Sequence, residues 1–193
     1  VFAYPKDRWA YARLTRLLTR GNLRAPKGEC HLMFEDFLEH AEGLQVILVP
    51  VFEPGDTPDA LAPYLQRAKR AAGEVWLAAP FRVDGEDRRR LRLLKALAAQ
   101  TGARLLATTE PAMHHRDRRP LLDVVTCIRE KKKLADAGAL LAKNAERSLK
   151  PPAEIARLYA EAPEAVAESL RFLRGISFSM DDLRYEYPEE TAD

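Results

Sequence analysis

The sequence has very little cysteine, since Cys30 and Cys127 are the only two among 193 residues. Two cysteines cannot build the disulfide framework of a small secreted domain, and they show no zinc-type spacing, which favours a reducing cytoplasm. Long apolar runs are also missing, because none approaches the roughly 20 residues that a membrane helix needs. Residues 1–20 are charged and amphipathic, which is unlike a secretory signal peptide. The sequence therefore predicts a cytoplasmic protein with no membrane partner.

An excess of one charge is lacking too, with 31 Lys and Arg against 29 Asp and Glu and a net charge of +2. Overall electrostatics therefore do not predict a binder of polyanions. The sequence has no glycine-rich phosphate loop, and no serine or cysteine stands in a recognisable nucleophile motif. An apolar content of 47% and a charged content of 31% are typical of a globular protein with one core, or one domain with an appendage.

What is present is a repeated pattern of apolar runs and amphipathic segments. The runs at 44–52, 75–81 and 103–108 begin about 30 residues apart, the length of a βα unit. Helical patterns at 58–72 and 85–101 lie between them. Continuous apolar strands that alternate with helices predict an α/β fold with a parallel sheet covered on both faces.

The N-terminal segment predicts a strand end followed by two helices. Val1 to Pro5 resembles the end of a strand, and a first residue other than methionine predicts that the chain is a piece of a longer protein. Asp7 is placed to cap a helix, and Gly21 is predicted to lie just past its end. A second, short helix is predicted at 34–41.

The C-terminal segment predicts helices only, at 136–147, 152–161 and 163–174, separated by prolines. The acidic end, beginning near Phe178, predicts extended chain. We therefore divide the chain into an α/β part, 1–135, and a helical part, 136–193.

The stretch from 103 to 130, ARLLATTEPAMHHRDRRPLLDVVTCIRE, joins a strand, a polar loop and a helix. In α/β proteins the loop after the carboxyl end of a strand is where sites are built. Pro120 suits the first turn of the helix. Cys127 is predicted to be a buried small hydrophobe, and an apolar stripe shares its helix: Leu121, Val124, Val125 and Ile128.

This stretch resembles bacterial error-prone DNA polymerases of the C family, relatives of the replicative polymerase III α subunit. Three further stretches agree in the family's order: YPKDRWAYARLTRLLTRG, KGECHL with HAEGL, and NAERSLKPPAEIARLY running to DDLRYEYPEE. The resemblance implies that 1–135 is the latter part of a polymerase-and-histidinol-phosphatase (PHP) domain, a partial (β/α) barrel. It implies that 136–193 leads to the polymerase palm.

The resemblance also predicts a degenerate metal site. PHP barrels hold metal ions at their strand ends, where the ions activate water for phosphoester hydrolysis. Metal-competent relatives have Asp-Val-His-Tyr-His, with the Asp and the first His as ligands. This chain has Glu110 and Ala112 at those positions, and His114 matches the second histidine, which is not the usual ligand. We therefore predict no metal ligand set and no catalytic residue here, and a Mg²⁺ site only in the palm of the full-length enzyme.

Two arginine groups differ in their interpretation. Arg116, Arg118 and Arg119 suit contact with phosphate or with another domain, because planar guanidiniums pair with phosphates and carboxylates. They also suit ties to acids of a neighbouring helix, and that structural role is the favoured one. The run at 88–90 is predicted to lie on a solvent-exposed helix face.

The sequence thus predicts a non-catalytic scaffold segment of an error-prone DNA polymerase for translesion synthesis. DNA would bind through the full-length polymerase, and this segment would contact palm and thumb. One alternative is a metal-dependent phosphoesterase of the PHP superfamily, which Ala112 and the polymerase-like end disfavour. Another is a stand-alone nucleic-acid-binding module, which near-zero net charge and few loop aromatics disfavour.

Overall fold

A computed structural model of the chain describes residues 1–51 and 58–184. Its centre is a four-stranded sheet of order β1-β2-β3-β4, in which β2, β3 and β4 are parallel. The predicted α/β fold with parallel strands is confirmed, and β1 adds an antiparallel edge that was not predicted. The strands are β1 Phe2–Pro5, β2 Leu44–Leu48, β3 Val75–Pro80 and β4 Arg104–Thr108.

Four helices cover one face of the sheet and form the main core with it. Successive side chains of a strand point to opposite faces, so Val46, Leu77 and Leu105 face these helices. Both crossovers, β2 to β3 and β3 to β4, place their helices on this face. The four helices are α1 Arg8–Leu23, α2 Phe34–His40, α3 Ala62–Ala72 and α4 Asp87–Thr101.

Helix α1 confirms one sequence-based prediction and corrects another. Asp7 caps the helix, since its Oδ1 accepts a hydrogen bond from the Ala10 amide at 2.8 Å. Gly21 was predicted to follow the helix, but it lies inside it. A Cβ at Gly21 would lie 2.5 Å from Cys30 Sγ, so glycine there permits close packing rather than a turn.

The opposite face of the sheet is covered by α7. Trp76 and Leu106 of the sheet pack against Phe172, and the buried Gln45 side chain donates to the Phe172 carbonyl at 2.7 Å. Tyr159, just after α6, contributes to the main core instead. The C-terminal helices, α6 Pro152–Leu158 and α7 Pro163–Arg174, therefore pack directly on the sheet, while a division at 135/136 stays a prediction.

The predicted helix at 136–147 is wrong. Only two short 3₁₀ turns occur there, Leu134–Asp136 and Gly138–Leu140. Gly138 has a φ of 47°, which interrupts a right-handed helix. Residues 144–149 instead pair with residues 110–113, as described below.

The remaining boundaries differ by a few residues from those predicted. Strand β2 ends at Leu48 rather than at 52, and 52–57 lie outside the described residues. The first turn of the helix predicted at 58–72 is 3₁₀. Helix α6 ends at Leu158 rather than 161, whereas α7 has the predicted bounds.

Candidate functional site at the strand ends

Two carboxylates follow the carboxyl ends of the neighbouring strands β3 and β4. Asp84 lies four residues after β3 and Glu110 two residues after β4. Because parallel strands end at the same edge of a sheet, both carboxylates line one cleft there, together with Arg82, Asn144 and Arg147. We call these five residues the strand-end cluster.

Glu110 is held by an ion pair. Its Oε2 lies 2.8 Å from Arg82 Nε, and its side chain is 18% exposed. The Glu110 backbone has a φ of 46°, a left-handed conformation that is uncommon outside glycine, asparagine and aspartate. Its amide donates to Thr108 Oγ1 at 3.0 Å. The carboxylate is therefore fixed beside a permanent positive charge.

The loop after β3 is fixed by a second set of ion pairs. Arg90 contacts Asp84 at 2.7 Å and Asp87 at 3.0 Å, while the Asp87 carboxylate accepts from the backbone amides of Arg82 and Asp84. Burial alone raises the pKa of Asp84, but hydrogen bonds from Arg90 and the Glu86 amide and the charges of Arg90 and Arg82 lower it below its usual value.

These contacts correct the prediction for the arginine run at 88–90. The Arg88 and Arg89 side chains are largely exposed, as predicted for a solvent face. The Arg90 side chain is only 9% exposed. It lies one residue further around the helix, where it turns inward to the acids of the β3 loop.

The segment 144–149 joins the two strand-end loops. Asn144 Nδ2 donates to the Arg82 and Val83 carbonyls, both at 3.0 Å. Val83 has a φ of 54°, which is a strained conformation for a β-branched residue. Arg147 Nε donates to the Glu110 carbonyl at 3.0 Å. Both loops after the strands are therefore held by one segment.

Backbone hydrogen bonds extend this pairing. The amides of Ala112 and Met113 donate to the Arg147 carbonyl, at 2.9 and 3.2 Å, and the Leu149 amide donates to the Met113 carbonyl at 3.2 Å. This short parallel pairing holds the chain around Arg147 and Leu149 extended, so a helix cannot continue to residue 147.

The predicted site residues are dispersed rather than convergent. Ala112 and His114 are exposed, and the buried Met113 lies between them. Arg116 pairs with Glu146 at 2.9 Å. The hydrogen bond from Lys150 lowers the pKa of Glu146 most; burial opposes this, and the charges of Lys150 and Arg116 add to the lowering.

The other two arginines of this loop differ from each other. Arg119 pairs with Asp123 at 2.7 Å and donates to the Ala142 carbonyl. Arg118 is exposed, and no polar partner for its side chain occurs in 1–51 or 58–184. Two of the three arginines thus pair with acids, but Asp123 lies in the same helix as Arg119 and Glu146 lies in no helix, so neither is the predicted tie to a neighbouring helix. Contact with phosphate or another domain stays a prediction.

The strand-end cluster does not fit a metal ion. Among the residues that the structure describes, no three His, Cys, Asp or Glu side chains come together to hold one. The Glu110 carboxylate already contacts a guanidinium, which repels a cation and cannot lose its proton near neutral pH. No metal chemistry is therefore assigned to these residues.

Local sequence patterns do not identify four residues of the strand-end cluster: Arg82, Asp84, Asn144 and Arg147. A signal was present, because Arg82 and Asp84 directly follow the apolar run at 75–81, and Asn144 and Arg147 begin the NAERSLKPP piece. Their convergence depends on contacts across about 60 residues, such as that from Asn144 to Arg82, which no local pattern reveals.

A second surface lies on α5, Arg119–Glu130. Cys127 is buried, as predicted. The apolar stripe of this helix is instead exposed to between 46% and 72%, and we call it the α5 apolar face: Leu121, Val124, Val125 and Ile128. Exposed basic residues follow the helix, at 131–133. Contiguous exposed apolar side chains are typical of an interaction site.

Within the described residues, no helix is both long and apolar enough to cross a membrane. No family model matches the chain. Several curated relatives carry the name "Error-prone DNA polymerase", and three of them illustrate the similarity. The protein of Bradyrhizobium diazoefficiens is 49% identical over 98% of this chain, that of Brucella abortus 47% over 97%, and that of Sinorhizobium medicae 45% over 100%. The chain spans 17% of the length of each. The predicted resemblance to bacterial error-prone DNA polymerases is confirmed.

Proposed function

We propose that the chain, which matches one segment of bacterial error-prone DNA polymerases, is part of such an enzyme and serves DNA-templated, damage-tolerant synthesis. The observation that carries the proposal is the identity of 45–49% along nearly the whole chain. DNA and the catalytic Mg²⁺ would be bound by other parts of the full-length enzyme, the metal by the palm.

Within that enzyme, this segment is a non-catalytic scaffold that forms the latter part of a PHP-type barrel and leads to the palm. Three parallel strands with their crossover helices on one face support the barrel. The ion pair between Arg82 and Glu110 supports the scaffold role, since a carboxylate fixed on a guanidinium is poorly placed to bind a metal or act as a base. The same pair disfavours the alternative of a PHP phosphoesterase.

The α5 apolar face is the surface through which the scaffold contacts the rest of the polymerase. Covering four side chains that are about half exposed stabilises a contact by about 1 kcal/mol each. The relatives extend well beyond the part that the chain matches, so an apolar segment from elsewhere in the enzyme is the occupant we favour. The exposed lysines at 131–133 favour acidic residues at the edge of that segment.

Sequencing the DNA on both sides of the coding segment tests the proposal. We expect one reading frame that continues downstream into an aspartate-rich palm motif. Start and stop codons that closely flank the segment would contradict the proposal and would favour a small free-standing protein.

A further inference from the structure

We propose that the strand-end cluster is a structural site in which the Arg82 guanidinium, rather than a metal ion, joins the ends of β3 and β4 and excludes divalent cations. This inference rests on the geometry of the cluster, and a failure of the proposed polymerase function would leave it intact.

The positions of the two carboxylates support this assignment. Asp84 and Glu110 follow adjacent parallel strands and line one cleft, the arrangement in which two carboxylates would share a cation. The cation found at Glu110 is a guanidinium, with Arg82 Nε 2.8 Å from Oε2. Its charge also acts on Asp84, whose pKa it helps to lower.

The chain segments that the cluster joins also support it. A structural metal joins chain segments that are distant in sequence, and this cluster does the same with hydrogen bonds. Arg82 contacts the β4 loop through its side chain, and its own carbonyl accepts from Asn144. Arg147 contacts the Glu110 carbonyl. Three segments, around 82, 110 and 145, therefore meet at one point.

Two strained backbone conformations in the cluster support it as well. The left-handed conformations of Val83 and Glu110 persist only where surrounding contacts hold them. Both carbonyls accept from the segment 144–149, that of Val83 from Asn144 and that of Glu110 from Arg147. The cluster is thus the source of the contacts that hold the strained loops.

Hydrogen exchange of backbone amides, read by mass spectrometry on the 193-residue chain, tests the proposal. Arg82→Gln, Glu110→Gln and the double variant remove one or both charges with little change of shape. The reporters are the amides of Ala112, Met113 and Leu149, which pair the two loops. Arg88→Gln is the control, because that side chain is 80% exposed.

We expect each single variant to speed exchange at these reporters by roughly tenfold, as loss of one charged hydrogen bond gives. The double variant should be no worse than either single one, since the pair is lost once. Arg88→Gln should have no effect. If a variant unfolds, exchange of the wild-type reporters in 0.1 M and in 1 M sodium chloride provides the comparison. Salt weakens the ion pair, so exchange should be faster at 1 M, and equal rates would contradict the proposal.

Millimolar Mn²⁺ or Zn²⁺ supplies the second measurement. We expect neither ion to slow reporter exchange in the wild-type chain, because Arg82 holds the position. Protection of the wild-type reporters by either ion would overturn the proposal, and so would Arg82→Gln or Glu110→Gln variants that exchange like Arg88→Gln.

Discussion

The Tyr159 hydroxyl lies 2.7 Å from the Thr108 carbonyl and 3.0 Å from the Thr108 amide. It also contacts the Ala79 carbonyl. A single buried side chain from the C-terminal helices thus joins the last residues of β3 and β4. Burial, the largest influence, raises the pKa of Tyr159 far above its usual value, so the hydroxyl keeps its proton and stays able to donate.

Replacing this tyrosine should therefore destabilise the whole sheet. Tyr159→Phe removes the side-chain partner of the partly buried backbone groups of Thr108 and of the buried Ala79 carbonyl, which costs about 1–3 kcal/mol. Urea unfolding followed by circular dichroism gives the difference in free energy. Tyr64→Phe is the matched control, because Tyr64 is 46% exposed. If Tyr159→Phe lowers the free energy of unfolding by no more than Tyr64→Phe does, the Tyr159 hydroxyl contributes little to stability.

The Asp84–Arg90 ion pair predicts a stability that depends on pH. The folded-state pKa of Asp84 lies below its usual value, so the pair stabilises the fold at neutral pH and ceases to do so as pH falls below about 4. Asp84→Asn should lower the free energy of unfolding at pH 7 by about 2 kcal/mol. The difference between wild type and variant should shrink towards zero near pH 2.

Urea midpoints measured from pH 7 down to pH 2 check this dependence. Asp136→Asn is a suitable control, because Asp136 is exposed. A difference between wild type and Asp84→Asn that stays constant across the pH range would contradict the role of the carboxylate charge.

The purified chain should carry no stoichiometric transition metal. The physical reason is that Glu110 pairs with Arg82 and that Ala112 offers no lone pair. Elemental analysis after dialysis should find well under one Zn, Mn or Fe per chain. Ala112→His should not restore binding, because one added ligand cannot replace a set. One metal ion per wild-type chain would refute the prediction.

The chain alone should self-associate. The α5 apolar face is exposed, and in the described residues the sheet ends at β1 and β4, whose edges are liable to pair with other chains. Analytical ultracentrifugation should show mass that increases with concentration. Ile128→Asp should shift the chain towards monomer, while Ile128→Met, which keeps the apolar surface, should not. A monomer with a sharp, high, concentration-independent melt would contradict this expectation.

Local signals in the sequence located most elements of the fold. The acid at Asp7 placed the start of α1, Pro163 that of α7, and the spaced apolar runs gave three parallel strands. The helix predicted at 136–147 does not form, because Gly138 has a positive φ and the chain around Arg147 and Leu149 pairs with a distant loop. A local helical pattern does not show that a loop distant in sequence will pair with the segment.

The candidate site could be predicted only in part. The strand-end position and the altered residue Glu110 were visible in the sequence. The neutralising partner Arg82 lies 28 residues away, and the inward turn of Arg90 depends on the shape of the β3 loop. The exposure of the α5 apolar face was equally hidden, since periodicity shows that a helix has an apolar face and not what covers it.

Primer extension by the intact polymerase that contains this chain tests the central claim most directly, with Ile128→Asp, Ile128→Met and wild type compared on a damaged template. If the segment is a scaffold that contacts the rest of the enzyme through α5, wild type and Ile128→Met should extend the primer at similar rates. Ile128→Asp should extend it at least tenfold more slowly, since burying an unpaired charge costs several kcal/mol. Equal rates for Ile128→Asp and wild type would contradict the scaffold contact, and no extension by the intact wild-type protein would contradict the polymerase assignment itself.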